Sequence, residues 1–129
     1  MSEMQGPAVG SVGWIDLTVE NAEEVRDFYR AVVGADATEV PMNGYSDYCL
    51  VAPGSDTPVA GVCHARGANA SMPPQWIIYL VVADLDQSVA TCKERGGEIV
   101  VPTRDVGGQG RFCVIRDPGG AVAALYQAG

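Results

Sequence analysis

WIDLTVEN (residues 14–21) and WIIYLVVAD (residues 76–84) read alike. Each opens on Trp-Ile, runs through β-branched residues and ends on a small polar residue ahead of a helix-like stretch. The likeness extends outward from these two segments. A shift of 63 aligns Val19 with Val82, Asn21 with Asp84 and Gly34 with Gly97, and places VAGVCHA (59–65) over VAALYQA (122–128). A shift of 64 places YCLVAPG (48–54) over FCVIRDP (112–118), and equates Cys49 with Cys113. The chain therefore repeats one unit. The expected division is a first module over 10–66, a linker over 67–73 in the small, Pro-containing GANASMPPQ, and a second module over 74–129.

Each copy has the same internal order. SVGWIDLTV and QWIIYLVVA have the Val, Ile, Trp and Tyr content of half-buried strands. Helices are predicted over about 22–33 and 85–95. Asn21 with Glu24, and Asp84 with Gln87, have capping-box spacing, and Gly34 and Gly96-Gly97 supply the stops. Val25, Phe28, Tyr29 and Val32 recur at helical spacing as the apolar face of the first helix. Three short strands follow in each copy, at about 37–42, 46–52 and 58–64, then 98–103, 111–116 and 121–127. MNG, PGSD, VGGQG and DPGG provide the turns between them. The fold class is α+β, built from two βαβββ modules that cover one another's sheets.

Composition narrows the function. A formal charge of −8, with a single lysine, leaves no basic stripe to displace counterions from phosphates, so neither nucleic acid nor an anionic membrane is an expected partner. No apolar run is long enough to span a bilayer. MSEMQGPAVG has no basic n-region or long apolar core, so no secretory leader is expected. Cys49, Cys63, Cys92 and Cys113 form no C-x-x-C pair and lie in apolar stretches. Free thiols in a cytoplasmic protein are the expected state.

The paired βαβββ order resembles the vicinal oxygen chelate superfamily, which includes glyoxalase I, bleomycin-resistance proteins and extradiol dioxygenases. The matching residues are Val19 and Asn21, then Phe28-Tyr29-Arg30 with Val32 and Gly34, and near the end Arg111-Phe112 with Asp117-Pro118 and Gly120. The resemblance implies two cupped half-barrels around a cavity and a homodimer, sometimes with modules exchanged between chains. It also implies, in metal-dependent members, one His, Glu or Gln ligand in each copy's first strand and another in each last strand. Those positions fall here on Trp14, Gly61, Ile77 and Ala124, none of which offers a ligating side-chain atom. Loss of the metal, with no other cofactor, is the expected consequence. The only histidine, His64, has no second histidine to join.

Alternation along the strands then nominates the wall of the expected cavity. Asp16 and Thr18 share a face with Trp14, Tyr79 with Ile77, Cys63 with Gly61, and Tyr126 with Ala124. Aromatic and apolar walls with few polar groups suit a small organic ligand, held by Trp14, Asp16, Gly61, Cys63, Ile77, Tyr79, Ala124 and Tyr126. A binding protein for such a molecule is the leading expectation. The alternative is a metal-independent isomerase, lyase or hydrolase with Asp16 as acid or base and Tyr79 or Tyr126 stabilising an oxyanion. A metal-dependent glyoxalase or dioxygenase would require a different ligand register. Ordinary core packing is the competing reading of Trp14 and the tyrosines, and an ion pair with an arginine such as Arg111 that of Asp16. Cys63 and His64 are adjacent on a strand and point apart, so they do not form a nucleophilic dyad. GGQG (107–110) is followed by no helix, so it is no phosphate loop and reads as a flexible loop at the cavity mouth, flanked by Arg104 and Arg111, for which solvated surface charge is the default reading and contact with an acidic substrate the alternative.

Overall fold

The protein is described from a computed structural model covering residues 7–129. The strands and helices run β1 (Val12–Val19), α1 (Ala22–Val33), β2 (Asp36–Pro41), β3 (Ser46–Val51), β4 (Pro58–His64), β5 (Trp76–Val81), α2 (Leu85–Glu94), β6 (Glu98–Asp105), β7 (Gly110–Arg116) and β8 (Val122–Ala128). A single 3-10 turn, Gly67–Asn69, lies between β4 and β5. This is βαβββ written twice. The described residues divide into two compact units: Ile15–Trp76, and Ile77–Gly129 together with residues 7–14.

In the Ile15–Trp76 unit the strands lie in the order β2-β3-β4-β1. β1 runs parallel to β4, with Asp16 opposite Gly61 and Thr18 opposite Cys63. β3 and β4 are antiparallel, with Cys49 also opposite Gly61. α1 covers one face. Its Ala22 is buried with Tyr48, Leu50 and Val62, and Val19, Val25, Tyr29 and Ala37 close around them. Only half of the expected apolar helix face is used: Phe28 is 56% and Val32 65% exposed. Tyr29 is held from the side by an edge-on Trp76 ring, whose Nε1 donates to the Tyr29 hydroxyl at 3.0 Å. Trp76 therefore supports α1 and is not the counterpart of Trp14.

The Ile77–Gly129 unit repeats the order as β5-β8-β7-β6. α2 packs Leu85 against Cys113 and Leu125, with Leu80, Val82, Val89 and Ile115 around them. Asp84 caps this helix by accepting from the Gln87 N–H at 3.1 Å, as expected. Asn21 differs. Its side chain makes no cap bond, and its amide instead donates to Glu24 at 3.0 Å. Both helices close on glycine in the left-handed region, at Gly34 and Gly96.

Register corrects one alignment. Cys49 pairs across Gly61 with Asp16, while the corresponding row of the second unit is Val114, Ala124 and Tyr79. The true shift at β3 and β7 is therefore one residue more than the sequence alignment used. Cys49 lies on the face away from α1, whereas Cys113 is in the core under α2. A one-residue slip exchanges the two faces of a strand, so the two cysteines have opposite environments.

Candidate functional site

Each unit has one face under its helix and one face free of it. The helix-free faces carry the candidate residues. In the Ile15–Trp76 unit, β1 and β4 bring Asp16, Gly61 and Cys63 together. The Cys63 thiol donates to Asp16 Oδ1 at 3.7 Å. Burial first, then the Asp16 carboxylate, pushes the Cys63 thiol far above its ordinary range. The same two causes, in the same order, raise Cys49. Both shifts favour the neutral thiol over the nucleophilic thiolate, and Cys63 acts as a donor.

Asp47 stands at the edge of this cluster and is 6% exposed. Its Oδ1 accepts the His64 backbone N–H at 2.8 Å and lies 3.1 Å from His64 Nδ1. The imidazole is further held by Tyr45, edge-on at 5.4 Å. Cys63 and His64 thus contact different carboxylates, Asp16 and Asp47. Asp47 contributes one carboxylate to two donors. Its replacement by alanine leaves a part-buried N–H unpaired, and we expect a loss of about 2 kcal/mol in urea unfolding. A loss below about 0.5 kcal/mol would show that water replaces the carboxylate.

In the Ile77–Gly129 unit the helix-free face has a floor of Ile77, Val101, Val114 and Ala124, each at most 1% exposed. Tyr79 and Phe112 pack ring to ring at 5.8 Å above it. Tyr126 lies directly opposite Phe112. Its hydroxyl donates to the Gln109 carbonyl, so the GGQG turn is tied to β8. Trp14 belongs to this unit by its contacts. The nominated set therefore resolves into Asp16, Gly61 and Cys63 in one unit and Trp14, Ile77, Tyr79, Ala124 and Tyr126 in the other.

Arg111 has partners within its own unit. Its guanidinium contacts Asp86 at 3.4 Å and Gln127 Oε1 at 3.2 Å, and the same Gln127 oxygen accepts the Leu85 N–H at 2.8 Å. Arg111 thus anchors the start of α2. Phe112, Asp47, Cys49 and Arg104 belong to the helix-free faces but were not among the nominated residues. Pairing outward from Gly61 and Tyr126 would have found Cys49 and Phe112 had the slip at β3 and β7 been recognised.

Trp14, Gly61, Ile77 and Ala124, the positions where the family resemblance led ligands to be expected, carry no side chain suited to hold a metal. Among the described residues no three His, Cys, Asp or Glu side chains are grouped to hold a metal ion. Residues 11–125 match the Glyoxalase/Bleomycin resistance protein/Dioxygenase superfamily. The chain belongs to this superfamily. Among its members, the chain is 32% identical over 120 residues to "Putative glyoxylase CFP32" of Mycobacterium tuberculosis, covering 92% of this chain and 46% of that protein. It is 34% identical over 112 residues to "Anthracycline biosynthesis protein DnrV" of Streptomyces peucetius, covering 87% of this chain and 39% of that protein. The chain thus spans less than half the length of these two relatives. The crystal structure of methylmalonyl-CoA epimerase from Mycobacterium tuberculosis shares the glyoxalase-like fold, with a TM-score of 0.53 at 17% identity over 100% of this chain and 96% of that one. At that identity the likeness is one of fold alone.

Proposed function

We propose that this superfamily member binds a small aromatic or apolar organic molecule without a metal, on the helix-free faces of its sheets. The observation that carries the reading is the wall in the Ile77–Gly129 unit. Four buried aliphatic side chains are flanked by Tyr79, Phe112 and Tyr126, and two of the four, Ile77 and Ala124, stand where the family resemblance leads metal ligands to be expected. Apolar floors with a few polar groups at the rim bind by area and orient by hydrogen bond. A relative named for anthracycline biosynthesis is in keeping with an aromatic ligand. The four free cysteines agree with a reducing, cytoplasmic setting. A homodimer is part of the proposal. Phe28, Val32 and Val33 at the end of α1 are each more than half exposed, which suits association through that helix.

Asp16 supports a second reading, as acid or base of a metal-independent isomerase, lyase or hydrolase. It is a half-buried carboxylate beside the Cys63 thiol, a setting unlike that of a solvated surface charge. Unchanged turnover in Asp16→Asn would sink that role. The primary reading is tested by native mass spectrometry of protein purified without chelators. We expect a metal-free dimer that takes up aromatic compounds from a screen. One stoichiometric transition metal per chain would overturn the metal-free reading and move Trp14, Gly61, Ile77 and Ala124 out of the ligand positions.

A further inference from the structure

Arg104 carries a buried donor that nothing satisfies. Its Nη1 is out of contact with solvent and makes no hydrogen bond among the described residues. A guanidinium has five N–H donors and no acceptor, so each buried N–H needs an acceptor from elsewhere. Buried polar groups are almost always paired, and an orphan donor calls for an explanation.

The register shows where this donor is aimed. β6 carries two irregularities, between Ile99 and Val101 and again between Val101 and Arg104. Ile99 lies opposite Ile115, on the α2 side. The first bulge turns Val101 to the other face, opposite Val114. The second adds a residue at Pro102-Thr103 and returns Arg104 to the face of Val101, opposite Phe112. Pro102 cannot donate to a ladder, so an edge strand bulges there readily. Asp105, the nearest carboxylate in sequence, is opposite Arg111 and so lies on the α2 side. The row Arg104, Phe112, Tyr126 and the row Val101, Val114, Ala124, Tyr79 hold no acidic group.

We propose that Arg104 is the anion-binding end of the ligand site on this face, and that the natural ligand is an aromatic or acyl monocarboxylate. The inference rests on the reading that this face takes a small organic molecule. The carboxylate meets the guanidinium fork, and the apolar body of the ligand lies along Phe112 and Tyr126 over the Val101-Val114-Ala124 floor. A planar carboxylate matches the fork with two parallel hydrogen bonds. A polyphosphate does not suit the site, because one guanidinium in a chain of net charge −8 cannot offset several negative charges.

The test uses the full chain with 2-naphthoate and its neutral counterpart 2-naphthalenemethanol, titrated by calorimetry and by ligand-observed NMR. We expect naphthoate to bind at least about tenfold more tightly than the alcohol. Arg104→Met should abolish the difference while leaving the alcohol's affinity in place. Arg104→Gln gives the same comparison if the methionine variant does not fold. Arg116→Met serves as control, since Arg116 is already paired with Glu98 at 3.1 Å, and it should keep the preference. Equal affinity for the two probes in the native protein overturns the role of Arg104 and leaves the small-molecule reading standing. A preference that survives in both Arg104 variants overturns it as well. If neither probe binds at about 10 mM, both the anion subsite and the aromatic-binding reading fall.

Discussion

Gly110→Ala should be the most damaging single-methyl change in the Ile77–Gly129 unit, lowering stability by about 4 kcal/mol. Gly110 opens β7 at φ +121°, a region that L side chains rarely adopt. A Cβ there would sit 2.2 Å from the Gln127 carbonyl oxygen, 3.0 Å from the Gly129 nitrogen and 3.1 Å from the Tyr126 ring. Two of these neighbours are backbone of the adjoining chain segment and cannot rotate away. Strain and overpacking therefore add, at roughly 1–3 kcal/mol each. Gly107 is the internal control. It has φ +54° with nothing within 4 Å of its Cβ direction, and alanine there should cost about 1 kcal/mol. Urea midpoints of the two variants, measured against the native protein, decide the matter. A difference below about 1 kcal/mol between them would mean that the β7–β8 contact yields easily.

That contrast shows where the sequence was readable and where it was not. GGQG reads as a flexible loop because four small or polar residues stand together. Three-dimensional pairing is what separates Gly107, in open space, from Gly110, pressed on β8. The duplication, both helices and every strand were legible, because apolar spacing and glycine stops are local properties of the chain. Facing was harder. Cys49 and Cys113 align well as letters, yet the ladders put one beside Gly61 and the other under α2. The Trp-Ile likeness at the start misleads in the same way: Trp76 binds Tyr29, and Ile77 is the residue that stands where Trp14 does. The facing of Arg104 was hidden by two bulges, which strict alternation cannot anticipate, although Pro102 in an edge strand was a usable warning. Asp16, Gly61 and Cys63 were grouped correctly because β1 and β4 are regular over those residues.

The buried thiols supply the second large effect, a loss of stability in alkali. Cys113 is fully buried beneath α2, and burial first, then its neighbour Cys92, pushes its thiol up to about 11, against a backbone hydrogen bond at Leu125 that works the other way. In the unfolded chain a cysteine ionises near about 8.5. Below that pH both states keep the proton, and the folded chain has the full benefit of its neutral buried thiol. Between about 8.5 and 11 the unfolded chain releases the proton while the folded one holds it. The unfolded state then binds fewer protons, so stability falls as pH rises through this window. At about 1.4 kcal/mol per unit, Cys113 alone accounts for a loss of about 3 kcal/mol by pH 11. Cys63 is raised further, by burial and by Asp16, and steepens the same decline. Tyrosine and lysine ionisation overlaps this range, so the measurement is a difference. Unfolding by urea at about pH 7, 9 and 10.5, under reductant, should show a steeper pH dependence in the native sequence than in Cys113→Ala. Identical slopes would mean that the Cys113 thiol ionises as readily inside the fold as outside it. The packing of Leu85 and Leu125 around that sulfur would then be too loose to exclude water.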